Sequence, residues 1–264
     1  MLELKHISKT FNIGTVNEKQ ALKNISLTLE NGDFVTVIGG NGAGKSTMLN
    51  AIAGVWPVDE GEILIDGQNV TRLPEYKRAQ FLGRVFQDPM NGTTASMGIE
   101  ENLALALRRG KRRTLRPGIH NSERAQYKEL LATLGLGLEN RLTSKVGLLS
   151  GGQRQALTLL MATLKSPKLL LLDEHTAALD PKTAAKVLET TDRIVNQNHL
   201  TTLMITHNMK DAIAHGNRLI MMMDGHIILD IRGEEKKRLT VKDLLAKFEE
   251  ASGEEFANDK AILG

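Results

Sequence analysis

No cysteine occurs among the 264 residues, which excludes a disulfide scaffold, a thiolate metal site and a catalytic thiol together. Long apolar runs are also missing. Conspicuous ones such as Leu169 to Leu172 and Leu219 to Met223 fall far short of the roughly 20 residues that a membrane-crossing helix needs. The first residues, Met1 to Lys9 with Glu3 among them, lack the apolar core of a secretory signal. Charge of one sign is scarce as well: 34 Lys and Arg against 31 Asp and Glu leave a formal +3, too little to argue for nucleic acid or an anionic membrane as partner. What remains is ordinary globular usage, 41% hydrophobic and 25% charged, in a chain long enough to bury a sizeable core. The expectation is a globular protein that neither spans a bilayer nor is secreted.

Leu2 to Ile7 and Leu22 to Leu29 alternate apolar and polar residues, the period of half-buried strands, and predict an antiparallel N-terminal β unit. After the turn signal Asn31-Gly32-Asp33, the run Phe34 to Ile38 is apolar and β-branched, as a central strand should be. Further strands are predicted over Gly61 to Asp66, Arg84 to Phe86, Leu169 to Leu172 and Thr202 to Ile205, with helices between most of them. Buried strand, crossover helix, buried strand is the order of a mainly parallel α/β sheet. Between Asp88 and Ser150 strands vanish, while Ile99 to Leu107 and Glu123 to Leu134 read as amphipathic helices. A helical subdomain inserted over about residues 88–164 is the expectation, within a nucleotide-binding unit of residues 1–232. Residues 233–264 form a C-terminal extension, in which Thr240 to Asp243 offer a capping-box start to a helix through Phe248.

Gly39-Gly40-Asn41-Gly42-Ala43-Gly44-Lys45-Ser46-Thr47 matches the phosphate-loop pattern between a predicted strand and a predicted helix. Its glycines let successive N–H groups point inward, the helix presents its positive end, Lys45 reaches the β- and γ-phosphates, and Ser46 can ligate Mg²⁺. The plain alternative is a glycine-rich turn with an incidental lysine. Asp173 and Glu174 end the Leu169 to Leu172 strand, at the edge of an open α/β sheet where ligands sit. Asp173 is placed to hold Mg²⁺ and Glu174 to polarise an attacking water; acids satisfying a helix dipole would explain the same pair without the loop. Ser150-Gly151-Gly152-Gln153 opens another helix, either as a second anion-binding start or as a simple N-cap.

With these motifs in this order, the sequence resembles the nucleotide-binding subunits of ATP-binding cassette transporters over roughly Leu2 to Leu229. The resemblance implies ATP and Mg²⁺ as cofactors and an ATPase that drives transport. It makes Gly39 to Thr47 the Walker A loop, Leu149 to Gln153 the family signature and Asp173-Glu174 the Walker B end. By resemblance alone, Gln87 is the Q-loop glutamine that touches Mg²⁺ and the attacking water, Asp180 belongs to the D-loop, His207 is the switch histidine on the γ-phosphate, and Phe11 stacks on adenine. The implied assembly is a head-to-tail homodimer with ATP sandwiched between Walker A of one copy and the signature of the other. That dimer would sit peripherally on the cytoplasmic face of the cell membrane, on two permease subunits served by an extracytoplasmic substrate-binding protein, with no nucleic acid. Import of a small nutrient such as an amino acid is the implied task. A soluble cassette ATPase outside transport, for example in cluster assembly, is the competing reading. The permease is expected to dock over Gln87 to Glu101.

Three positions depart from the family pattern: Phe11 replaces a common tyrosine, Gly40 a frequent proline, and His175 the usual proline after the glutamate. Stacking needs only a ring face, so Phe11 can serve, and His175 is expected to be a local substitution rather than a metal or proton-transfer residue. Arg108, Arg109, Lys111, Arg112, Arg113 and Arg116 form a basic cluster, read either as a solvated loop or as a surface for lipid headgroups or acidic permease residues. Met221 to Met223, before the hairpin signal Asp224-Gly225, are expected to be core.

Overall fold

The computed structural model describes residues 1–110 and 118–252. Lys111, Arg112, Arg113 and Arg116 of the basic cluster, and the tail from residue 253, lie outside the described residues.

Alternation along the N-terminal segment builds a sheet of its own. β1 (Leu2–Phe11) buries Leu2, Leu4 and Ile7 and pairs antiparallel with β2 (Lys19–Leu29) on one side and β4 (Glu60–Ile65) on the other. The two-residue β5 (Gln68–Asn69) completes the order β2-β1-β4-β5. The second sheet has six strands in the order β10-β9-β3-β8-β7-β6. Its members are β3 (Phe34–Ile38), β6 (Leu82–Val85), β7 (Leu169–Asp173), β8 (Thr202–Ile205), β9 (Arg218–Met223) and β10 (His226–Arg232). All pairings there are parallel except β9 with β10, so the expected mainly parallel α/β sheet with a separate antiparallel unit is the observed fold. Every residue of β3 and β8 is buried, the continuous apolar run of a strand covered on both faces.

Helices follow the strands. α1 (Lys45–Ala53) leaves β3, and α2 (Glu75–Arg78) is a single turn. α3 (Ile99–Leu107), α4 (Asn121–Ala132) and α5 (Gly151–Thr163) fill the stretch between β6 and β7. Their apolar faces, through Leu103, Tyr127, Leu131 and Leu157, run without a break into Leu170 and Leu172 of β7. α6 (Pro181–Gln197), α7 (Met209–Ala214), α8 (Gly233–Arg238) and α9 (Val241–Ser252) complete the chain. α9 sets Leu244 and Phe248 into a cluster with Ile38, Met209 and Met221, so the final helix packs on the body of the protein, and Met221 and Met222 are core. α8 contributes Lys236, which is buried, its ammonium donating to the carbonyls of Ile213, His215 and Gly216 where α7 ends.

Element bounds differ from expectation in a few places. The strand expected at Arg84 to Phe86 runs from Leu82 to Val85, because its parallel partner β7 begins at Leu169 opposite Leu82. Phe86 lies beyond it and gives its carbonyl to Gln155 Nε2 at 3.2 Å. The final helix continues past Phe248 to Ser252.

Besides a shared apolar cluster and the Lys23 N–H to Gly225 carbonyl bond, a buried arginine links the two sheets. Arg218 of β9 holds both oxygens of Asp230 on β10 at 2.7 Å and also donates to the carbonyl of Thr28 on β2. Burial alone would raise the Asp230 carboxyl, but hydrogen bonds from Arg218 and Arg232 outweigh it and bring it down to about 2. A carboxyl lowered on folding contributes stability above its unfolded value, and that contribution is lost as pH falls through the folded one. Asp230→Asn should therefore lower stability at neutral pH by about 2 kcal/mol, allowing for the partial exposure of the carboxylate. The gap to the native chain should close between pH values of about 4 and 2, read by denaturant melts across that range.

Candidate functional site

Parallel register decides what meets at the carboxyl edge of the large sheet. Val37 of β3 lies opposite Ile205 of β8, and Ile205 lies opposite Asp173 of β7. The loop after β3, the acids after β7 and the segment after β8 therefore leave the sheet side by side. In that loop Gly39, Gly42 and Gly44 have φ of 149°, 79° and 100°, the left-handed region in which a side chain is strained. At Gly39 the constraint is double, since a Cβ would stand 2.1 Å from the Met222 carbonyl oxygen. α1 follows the N-cap Gly44, which makes no side-chain cap hydrogen bond, so the positive end of the helix faces the loop, the geometry in which helix starts bind anions. Lys45 is buried and donates to the carbonyls of Gly39 at 2.6 Å and Gly40 at 3.0 Å. Asn41, Gly42 and Ser46 are exposed and Thr47 half-buried.

Asp173 and Glu174 are half-buried at the end of β7. Glu174 takes φ of 44°, a strained value of the kind that clusters at functional sites, while its N–H is held by the Ile205 carbonyl at 3.0 Å. Its Oε2 lies 3.3 Å from His207 Nδ1, so the expected attacking-water residue and the expected switch residue are neighbours. Burial raises the Asp173 carboxyl; Arg84, 3.7 Å away, is the chief opposing influence. His175 is buried with Nε2 3.1 Å from Thr191 Oγ1, and burial pushes it down to about 4. It is a neutral core residue.

Ser150 caps α5: its Oγ accepts from Gln153 N–H at 3.3 Å, and Gln153 Oε1 accepts from Ser150 N–H at 3.1 Å. Asp180 likewise caps α6 through Thr183 N–H at 3.1 Å, and hydrogen bonding by the Thr183 side chain and then its N–H lowers the Asp180 carboxyl. The two helix starts press together, since a Cβ on Gly152 would lie 2.2 Å from Thr183 Cγ2. Apart from Gln153 Nε2, which donates to Leu136 O, the cap hydrogen bonds stay within each helix start. The structure thus brings Gly39 to Thr47, Asp173, Glu174 and His207 to one edge, and joins Ser150 to Gln153 with Asp180 as a second group. Gln87 is exposed just beyond β6.

Phe11 ends β1 and meets Trp56 edge-on, ring centroids 5.0 Å apart at 80°, with Lys9 Nζ 5.6 Å from its ring centre. Trp56 and Arg84 were not singled out from the sequence. No local pattern marks either, because their partners Phe11 and Asp173 are distant in the chain. Among the described residues no group of three or more His, Asp or Glu side chains is placed to hold a metal. Asp173 with the Ser46 hydroxyl is a sparse oxygen set, which fits Mg²⁺, an ion that keeps waters and takes the rest of its ligands from phosphates. A cleft of about 1160 Å³ opens beside the site, lined among others by Tyr76, Arg84, Phe86, Leu105, Arg108 and Met161. Of the basic cluster, Arg108 pairs with Glu123 at 3.0 Å and Arg109 donates to the Ala162 carbonyl at 3.4 Å.

Residues 22–177 match the family model described as ABC transporter. Over 252 residues, 95% of this chain and all of the relative, the sequence is 48% identical to the tyrosine transport ATP-binding protein of Clostridioides difficile (strain R20291). It is 36% identical to a methionine import ATP-binding protein of Enterococcus faecalis (strain ATCC 700802 / V583), covering 86% of this chain and 64% of that one. Among solved structures, a dimeric post-hydrolysis ATP-binding cassette bound to ADP and Pi superposes with a TM-score of 0.74 at 32% identity, over 88% of this chain and 98% of that one.

Gly39→Ala should be among the most damaging single-methyl changes here, costing about 2 kcal/mol or more because the clash is with backbone. Thermal melting should show a clear loss and nucleotide titration little binding. A variant with native melting and native ATP affinity would mean that the loop is not held as described.

Proposed function

The chain belongs to the ABC transporter family and is an ATP-binding, ATP-hydrolysing subunit of it; we propose that it powers the import of a small nutrient, an amino acid in the first place, through separate permease subunits. The observation that supports the ATP-hydrolysing part of this reading is the shared sheet edge on which the phosphate loop, Asp173, Glu174 and His207 stand together through the β3, β8 and β7 register. Its relatives' names, tyrosine transport and methionine import, support the amino-acid class.

In this reading Asn41, Gly42, Gly44, Lys45 and Thr47 bind the phosphates, Phe11 receives the adenine, and Ser46, Asp173 and Gln87 hold Mg²⁺, which neutralises phosphate charge when bound. Glu174 accepts the proton of the attacking water and His207, beside it, orients that carboxylate and the γ-phosphate. Ser150, Gly151, Gly152, Gln153 and Asp180 complete the site of a second copy, in a head-to-tail homodimer. Residues 1–232 act as the nucleotide-binding unit, with 88–164 as its helical insert and 233–264 as an extension.

The subunit is membrane-associated and works with permeases, while no helix among the described residues is long and apolar enough to cross a membrane. We place it on the cytoplasmic face, peripheral, with an extracytoplasmic binding protein delivering cargo to the permease. The cleft lined by exposed Tyr76 and Leu105 also takes in Asn91 and Gly92, which belong to the Gln87 to Glu101 stretch proposed as the seat for the permease.

Glu174→Gln should reduce ATP hydrolysis by about 10² or more while ATP and Mg²⁺ bring the chain to dimer size in gel filtration. Undiminished hydrolysis would remove Glu174 from its role, and a chain that stays monomeric with bound ATP would remove the sandwich.

A further inference from the structure

Arg84 stands between the metal carboxylate and the large cleft, and none of the motifs gives it a task. Its Nη2 donates to Asn50 Oδ1 of α1 at 2.7 Å and lies 3.7 Å from Asp173 Oδ2. Its guanidinium carbon is 4.5 Å from the centre of the Phe86 ring. The side chain is 14% exposed, and Nε is buried without a hydrogen-bond partner.

The same protein shows what a permanent buried ion pair looks like. Arg218 grips both oxygens of Asp230 at 2.7 Å, the forked geometry that arginine and carboxylate favour. Arg84 has a carboxylate within reach and does not grip it. Its short hydrogen bond goes to a neutral amide, and its plane is held by an aromatic ring. Arg84 is thus anchored independently of Asp173, near enough to supply opposite charge and far enough not to occupy the oxygens.

Asp173 needs such a neighbour. A half-buried carboxylate such as Asp173 is costly to leave without a cation. We propose that Arg84 is a positioning residue that serves as stand-in cation for Asp173, holding the carboxylate in place while no metal is bound and setting, by its charge, how much Mg²⁺ the site requires. The inference rests on the reading of Asp173 as a metal-holding residue. Binding then becomes an exchange in which Asp173 passes from one cation to another while Arg84 stays on Asn50 and Phe86. A fixed positive charge beside the metal position opposes the incoming ion, so its loss should make the site more avid.

The test uses the full chain and its single tryptophan: Trp56 fluorescence follows ATP binding, titrated with MgCl₂ upward from a chelated solution. Arg84→Met should lower the Mg²⁺ concentration for half-saturation by about three- to tenfold, the scale of one partly buried charge pair. It should also lower the metal-free melting temperature, with more of the loss restored by Mg²⁺ and ATP than in the native chain. Arg84→Lys should keep the native Mg²⁺ requirement. Arg84→Gln, which retains a donor for Asn50, gives the uncharged comparison if the methionine variant does not fold. A folded uncharged variant whose Mg²⁺ half-saturation is unchanged or higher overturns the proposal. Asp173→Asn separates the two levels. If it leaves the Mg²⁺ dependence of ATP binding as in the native chain, the metal assignment of Asp173 falls. If it weakens that dependence while the Arg84 variants do not alter it, only the role of Arg84 falls.

Discussion

Matched parallel register across β3, β8 and β7 is the constraint on which the rest of the molecule depends. It sets Val37, Ile205 and Asp173 abreast, and a slip of one residue would turn every side chain to the opposite face. Burial prevents the slip, because Val37 and Ile205 face one apolar cluster while Met204 and Leu172 face another. Three chain segments far apart in sequence are thereby delivered to one edge. The backbone reinforces the alignment: Glu174 N–H reaches the Ile205 carbonyl at 3.0 Å and Thr206 N–H the Val37 carbonyl at 3.1 Å. The strained φ of Glu174 is tolerated because those neighbours leave its peptide no other place.

Much of this was legible where a run of residues answers to one environment. Phe34–Ile38, Thr202–Ile205 and Ile99–Leu107 match the expected bounds to the residue, the first from its apolar, β-branched run and the helix from its amphipathic period. β6 was misplaced because Leu82-Gly83 shows no alternation and only its pairing with β7 fixes the start. Lys236 illustrates a deeper limit. Glu234 to Arg238 is an unbroken run of charged residues, yet one of its cations is buried over the carbonyls that end α7, a contact that no local pattern encodes. Trp56 beside Phe11 and Arg84 beside Asp173 are of the same kind. Motif residues such as Lys45 and Asp173 stand out because their chemistry fixes spacing along the chain, whereas the residues that support them are fixed only by the fold.

The two groups of site residues also explain why a pair of chains is the natural unit. At the phosphate loop α1 begins without a side-chain cap, so its positive end can receive an anion. At α5 the Ser150 hydroxyl satisfies only Gln153 N–H, so the backbone of exposed Gly151 remains approachable. These two positive helix ends belong to separate clusters, one on the sheet edge and one where α5 meets α6. An anion with several charged oxygens could satisfy both if a second copy offers its α5 to the first copy's loop. On the proposed head-to-tail arrangement the triphosphate supplies acceptors to both helix ends. Removing the terminal phosphate withdraws acceptors from the contact between chains as well as from the loop. The contact between Gly152 and Thr183, next to Asp180, would carry that change into α6. Bond cleavage at one edge would thereby reach the helices that hold the pair together.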